Sequence, residues 1–246
     1  MENWLDAATA TWEECRDYLA EHPCAILPMG ATEQHGLHLP QNTDTLLAQA
    51  VAAEVAIRTR GLLLPALAVG YSWVWRDFPG TLTLSFDTLR AVVMDIARSL
   101  ERGGCQALLI LHGHGANANS VKYALRELAD ELELRTLHVC YPHVDQLKDA
   151  VETEMWCGGN FHAEEVETSM MLHRFPALVR MDRAVREYPQ PSIEYDMSSL
   201  PMGALSESGV FGDATVATAE KGARFEAMWV EASAKLWTDF LGETAG

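Results

Sequence analysis

The sequence predicts an α/β protein, a three-layer α/β/α sandwich around a mostly parallel sheet. Two observations point there. Short apolar runs of strand length alternate with segments of helical periodicity, the pattern of parallel βαβ crossovers with helices on both sheet faces. Several runs also end in glycine-containing turns, and open sheets of this kind bind ligands beyond the carboxyl ends of their strands.

The elements follow in order. CAILPMG, from Cys24 to Gly30, reads as a buried strand leading into a loop. In TDTLLAQAVAAEVAIRTRG, Leu46, Leu47, Ala50, Val51, Val55 and Ile57 recur at helical spacing, and Gly61 closes the helix. LLLPALAVG over 62–70 and TLTLS over 81–85 read as further strands. FDTLRAVVMDIARSLERGG is a helix with Asp87 as its N-cap. ALLILHGHGANANS runs from a buried strand through a glycine-rich turn into the helix SVKYALRELADEL. TLHVCYP is the next strand and AEEVETSMMLHRF the next helix; a long helix from about Val216 closes the chain. Pro189 to Gly212, rich in Pro, Ser and Gly, reads as a surface loop. With no internal repeat, residues 1–246 are expected to form one domain.

Apolar residues make up 48% of the chain and charged residues 22%, which argues against disorder and fibre. No apolar run approaches the ~20 residues of a membrane-spanning helix. The acidic start MENWLDAATATWEE lacks the basic region of a signal peptide, so a cytoplasmic protein is expected. Lys plus Arg number 18 against 35 Asp plus Glu, a net charge of -17, which excludes nucleic acid and anionic membrane as partners. Cys15, Cys24, Cys105, Cys140 and Cys157 are scattered, with no Cys-x-x-Cys pair, and read as buried thiols of a reducing compartment.

The chemistry concentrates after two strands. GATEQHGLHLPQNTD places Glu33, His35, His38 and Asp44 in one turn. Glu33 and His35, two apart, share a face of extended backbone. Asp44 precedes a helix, and His114 in HGHGAN ends another strand, from which it would reach the same space. Carboxylates with imidazoles suit Zn²⁺, Mn²⁺ or Fe²⁺ rather than the thiolate cage of a structural zinc. Plainer readings exist for each residue alone: Asp44 as a helix cap, Glu33 as a loop acid, HGHGAN as a phosphate-binding turn. In NFHAEEVETSMML, His162, Glu164 and Glu167 fit an amphipathic helix with acids at its start. Four hard or borderline ligands at two strand ends of one sheet are improbable as four independent caps and loop residues.

The segments LPMGATEQHGLHLPQNTD, GYSWVWRDFPGTLTLS, GHGAN, HAEEVETS and GDATVATAEKGARF, in this order over about residues 24 to 225, resemble the creatininase family of creatinine amidohydrolases and relatives. The resemblance implies a three-layer α/β/α domain, a two-metal centre, hydrolysis of a C–N bond in a small, often cyclic amide, and commonly a hexamer. By motif match it puts Glu33, His35, Asp44 and His114 on metal ligands, with Asp44 as the bridge, His162 on an acid/base histidine and Glu167 on an acid near the metals. Creatininase carries a Tyr-x-Glu after its turn histidine, with that Glu as a ligand. Here Gly115 and Ala116 follow His114, so Glu167 becomes the candidate fifth ligand. Gly158 to Phe161 replace a tryptophan and an acid that creatininase places before the acid/base histidine, so creatinine is not the expected substrate. His112, where relatives have Asn, is expected to hydrogen-bond a ligand carboxylate from behind.

The expectation is a homo-oligomeric hydrolase acting on a small molecule. Two divalent cations (Zn, Mn or Fe) bridged by Asp44 would generate hydroxide, and His162 would protonate the leaving group. Ser72, Trp73, Trp75 and Arg76 would form a pocket wall or lid, or else pack at a subunit interface. Two alternatives keep the same centre: C–C cleavage of a cyclic diketone, and release of a short peptide from a precursor. A third, non-enzymatic alternative is a phosphate- or nucleotide-binding protein using GHGAN.

Overall fold

The computed structural model describes residues 4–142, 147, 149–154, 162–190 and 198–242. Its centre is a five-stranded, wholly parallel sheet. In chain order the strands are β1 (Leu5–Asp6), β2 (Cys24–Met29), β3 (Leu62–Leu63), β4 (Ala107–His112) and β5 (Arg135–Val139), and they lie side by side as β1-β3-β2-β4-β5. β2 and β4, the two apolar runs, pair over their full length at the middle, where strands covered on both faces belong.

Among the described residues, six helices cover the sheet: α1 (Trp12–Glu21), α2 (Thr43–Thr59), α3 (Phe86–Arg102), α4 (Asn117–Leu128), α5 (Glu165–Arg174) and α6 (Ala219–Gly242). Strand side chains alternate between the faces. Ile26, Leu109 and Leu111 join Leu47, Val51, Met170, Phe225 and Trp229 of α2, α5 and α6 in one core. Ala25, Leu27, Leu108 and Ile110 join Leu19, Val93 and Val121 of α1, α3 and α4 in the other. The three layers agree with the sequence expectation.

Where the structure differs, the reason is local. The run 62–70 reduces to β3 and a single bridge from Leu67 to Met29, interrupted by Pro65, which has no N–H for a ladder. The run 81–85 is not a strand; only Leu82 bridges to Thr32. Its polar side chains work as caps and staples: Thr83 Oγ1 accepts from the Ser72 N–H at 2.9 Å, and Ser85, not Asp87, caps α3 by accepting from the Thr88 N–H at 3.2 Å. α1 has no counterpart in the sequence reading, because it buries only Leu19; a capping box between Thr11 and Glu14 starts it. Residues 214–216 form a 3-10 turn, so the closing helix begins at Ala219. After 198, the Pro189 to Gly212 stretch carries one 3-10 turn and leads into β7 (Gly212–Asp213), which pairs with β6 (Arg186–Glu187). Of the four cysteines described, none is in a disulfide and only Cys105 is fully buried; Cys157, like Gly158 to Phe161, lies outside the described residues. Among the described residues no helix is long and apolar enough to cross a membrane.

The start of α2 presses on the ends of β2 and β4. A Cβ on Gly30 would lie 2.3 Å from Thr45 N, and one on Gly113 2.6 Å from the Asp44 carbonyl. Both contacts are closer than any side chain allows, so glycine lets the two strand ends and the helix start converge.

Candidate metal centre

The loop after β2 carries Glu33 and His35 inward and returns into α2, whose first turn holds Asp44. Asn42 occupies the cap position and makes no side-chain cap bond. Asp44 is no cap either: its buried carboxylate lies 2.9 Å from His35 Nε2 through Oδ1 and 3.3 Å from His114 Nδ1 through Oδ2. His114 Nδ1 is also 3.2 Å from Glu33 Oε1. On the other side, α5 begins with Glu164 as its cap and brings Glu167 Oε2 to 3.7 Å from His35 Nε2.

Each imidazole is held from behind. His35 Nδ1 is 3.1 Å from the Glu33 carbonyl and His114 Nε2 is 3.0 Å from the Tyr71 carbonyl. With those nitrogens donating, His35 Nε2 and His114 Nδ1 face the carboxylates. This is the arrangement in which a backbone acceptor orients a metal-ligating ring. Glu167 is steadied by the Ala163 N–H, 2.6 Å from its Oε2.

Five ionisable groups are thus buried together, where charge is disfavoured unless paired. Burial opposes a charged His35, but Asp44, then Glu167 and Glu33, hold its pKa up to about 10. His114 is likewise opposed by burial and held well above the usual histidine range by Glu33 and Asp44. Burial works against ionised Asp44, while His35 and His114 keep it well below the carboxylate range. Burial lifts Glu167 to about 7, with His35 pulling it down and Asp44 pushing it up. Three carboxylates share two imidazoles, and the pairing is incomplete. Both Glu33 oxygens and Asp44 Oδ2 are buried without an aligned hydrogen-bond donor among the described residues, a costly state for carboxylate oxygens. Carboxylate oxygens with imidazole nitrogens are the donor set of a divalent transition metal. In the groups Glu33, Asp44, His114 and His35, Asp44, Glu167, the candidate ligand atoms lie within 4.8 Å of one another. The residues fit a cation.

His162 closes the site. It is placed by a backbone bond from the Phe211 N–H to its carbonyl at 2.9 Å. Its ring stacks on buried Trp75 with centroids 4.3 Å apart, and Nδ1 lies 3.7 Å from Glu33 Oε1. With Glu33 and His35 it makes a third group of possible ligands. Nε2 is 2.8 Å from the Gln34 carbonyl, which accepts its proton when Nδ1 is bare. Burial, then the neighbouring His35, push its pKa well below the usual histidine value.

The remaining predicted residues divide. Ser72 is buried, and its Oγ has no hydrogen-bond partner among the described residues. Trp75 is buried against the His162 ring; Trp73 is half-buried, and Arg76 folds over the Trp73 ring at 3.9 Å. His112 does not reach a carboxylate. Strand alternation sends its ring to the face shared with Leu108 and Ile110, away from α2 and α5. There Nδ1 bonds the His114 carbonyl at 3.1 Å, and Nε2 lies 3.3 Å from His138 Nδ1. Burial and His138 push its pKa down to about 3. His38, noted in the same turn, stays outside the ligand groups and bonds Thr168 of α5 at 2.8 Å. Gln34 and Asn117 were missed as contributors, although both lie inside the motifs quoted above; only contact geometry reveals them.

The family model for creatininase, described as creatinine amidohydrolase, matches residues 8–237. The creatinine amidohydrolase of Pseudomonas putida is 35% identical over 230 residues, covering 86% of this chain and 88% of that one. The mycofactocin precursor peptide peptidase of Mycobacterium ulcerans (strain Agy99) is 35% identical over 223 residues, covering 85% and 82%. A solved structure, Creatininase Mn, superposes with a TM-score of 0.83 at 32% identity, covering 96% of this chain and 98% of that one. The fold, the buried carboxylate–imidazole cluster and these matches lead to one conclusion: the chain belongs to the creatininase family of hydrolases.

Proposed function

We propose that this protein hydrolyses the C–N bond of a small, cyclic amide at a centre of two divalent cations that share Asp44. The observation that carries the reading is that Asp44 belongs to both ligand groups, facing His114 with Oδ2 and His35 with Oδ1. When bound, such cations supply Lewis acidity toward a carbonyl oxygen and a water of lowered pKa. Zinc, manganese and iron all suit these donors, and solved relatives include Creatininase Mn and a Zn–Zn type of a creatininase variant.

The chain's own residues do the rest. Glu33, Asp44 and His114 would hold one cation, and His35, Asp44 and Glu167 the other. His162, with Nδ1 turned inward and Nε2–H held by the Gln34 carbonyl, takes a proton from the attacking water and hands it to the departing nitrogen. Trp75 covers one face of that ring and excludes solvent. Ser72 Oγ, buried and without a partner among the described residues, binds a polar group of the substrate; Trp73 and Arg76 form the rim. The described residues span one catalytic domain, and the working assembly is a homohexamer, which light scattering checks.

A second reading has its own support: a relative with 35% identity is a precursor peptide peptidase. Incubating metal-loaded protein with lactams, imides, creatinine and short linear peptides, and reading water addition by mass spectrometry, separates the two. Opening of cyclic amides, with creatinine turned over poorly because Ala116 stands at a creatininase ligand position, supports the proposal. Cleavage of linear peptides alone would replace it with the second reading.

A further inference from the structure

Asn117, the last residue of the GHGAN turn, is fully buried. It opens α4, yet caps nothing: its side chain reaches across to two other segments. Nδ2 donates to the Gly30 carbonyl at 2.9 Å, at the end of β2 where the Glu33 loop begins. Oδ1 accepts from the Tyr71 N–H at 2.9 Å. A Cβ on Gly70 would lie 2.4 Å from Asn117 Oδ1, so the backbone there is pressed against the amide. The Tyr71 carbonyl, in turn, is the acceptor for His114 Nε2. Asn117 therefore grips Tyr71 at its N–H, across one Cα from the carbonyl that aims the His114 ring, and the same amide ties Tyr71 to the strand end from which Glu33 departs; the N–H of the peptide unit that carries this carbonyl, that of Ser72, is held by Thr83 Oγ1.

We infer that Asn117 is a positioning residue, which sets the His114 ring through the Tyr71 carbonyl and so determines cation affinity on the Glu33, Asp44, His114 side of the centre. The inference rests on the proposed cation site. An amide is the group this role requires. It donates to one carbonyl and accepts from one N–H at once, whereas a carboxylate only accepts and would meet the Gly30 carbonyl oxygen without a proton between them.

The test compares Asn117→Asp with Thr32→Val. Thr32 Oγ1 donates to the Ala68 carbonyl at 2.8 Å, and the Thr32 backbone is bridged to Leu82, so loss of its hydroxyl loosens the same stretch three residues earlier without touching the Asn117 bonds or the peptide unit of the Tyr71 carbonyl. Zinc titration of the full chain should show one of two binding steps weakened roughly 10- to 100-fold in Asn117→Asp, the usual effect of losing a partner behind a metal ligand. The other step should be unchanged, and both should be unchanged in Thr32→Val. The His114 Nε2–H proton, followed by nitrogen-15 NMR without metal, should exchange with water at least tenfold faster in Asn117→Asp than in either of the other proteins. Equal weakening of both zinc steps, equal effects of the two substitutions, or an Nε2–H exchange rate that does not change would overturn the inference. Wild-type protein that binds no zinc would refute the proposed site instead, leaving the exchange measurement to decide the role of Asn117. Should Asn117→Asp not fold, Asn117→Ser, which shortens the bridge without adding charge, is read by the same two measurements.

Discussion

Replacing Asp44 by Asn keeps the shape of the side chain and removes the one charge that both ligand groups share. His114 and Glu167 each belong to only one of the two Asp44 groups, so the three positions should fail differently. At zinc about 100-fold above its dissociation constant, one site adds about 2.7 kcal/mol to folding stability, and two independent sites about 5.4 kcal/mol. For a chain of this size a gain of 1 kcal/mol raises Tm by roughly 2–4 °C, so the wild type should rise by roughly 10–20 °C on loading. His114→Ala and Glu167→Gln should bind about one zinc and gain about half of that. Asp44→Asn should bind less than one zinc and gain almost nothing. Elemental analysis after desalting gives the count, and scanning calorimetry with and without zinc gives the shift. Asp44→Asn protein that keeps two zinc ions and the full shift would refute a shared carboxylate, because among the described residues Asp44 alone is common to the His114 and Glu167 groups.

Other consequences are equally specific. His162→Ala should keep its zinc and lose roughly two to four orders of magnitude in turnover, recovering much of it on a substrate whose leaving group needs no proton; metal loss in step with Asp44→Asn would make His162 a ligand. Gly222→Ala should destabilise by about 1–3 kcal/mol in urea unfolding despite alanine's better helix propensity, because its Cβ would meet the Ser169 carbonyl at 1.9 Å where α6 crosses α5; a more stable variant would show that the helices part freely. Glu187 is raised by burial but lowered further by hydrogen bonds from Ser208, Ser206 and the Ser208 and Glu207 N–H groups, for a net shift below the usual value. A depressed folded-state pKa contributes stability above the unfolded pKa and loses it as pH falls through the folded one, so the Tm gap between wild type and Glu187→Gln should shrink on acidification from pH 6 to pH 3; a constant gap would exclude it.

The layer architecture was legible because β2 and β4 are unbroken apolar runs and α2 and α3 are long and periodic. Short elements were not: β3 is two residues long, and TLTLS has strand composition while its hydroxyls serve as acceptors for neighbouring N–H groups. The charged candidates of the centre were legible because Glu, His and Asp at strand ends have few structural uses in such density. Asp44 alone was ambiguous, since a helix cap and a bridging carboxylate occupy the same sequence position; only its contacts with His35 and His114 separate them. His112 illustrates the opposite limit. Two residues from His114, it points to the other sheet face, and the parity that decides this depends on where β4 ends. Asn117 donates to a backbone carbonyl of a distant segment and Gln34 offers its own backbone carbonyl to distant His162, contacts that no local pattern encodes.

The most direct measurement is anomalous diffraction at the zinc edge from crystals of the zinc-loaded protein. The account predicts two peaks flanking the Asp44 carboxylate, one about 2.0–2.2 Å from ligand atoms of Glu33, Asp44 and His114 and the other at similar distances from His35, Asp44 and Glu167. A single peak, or two peaks of which only one contacts Asp44, would contradict it.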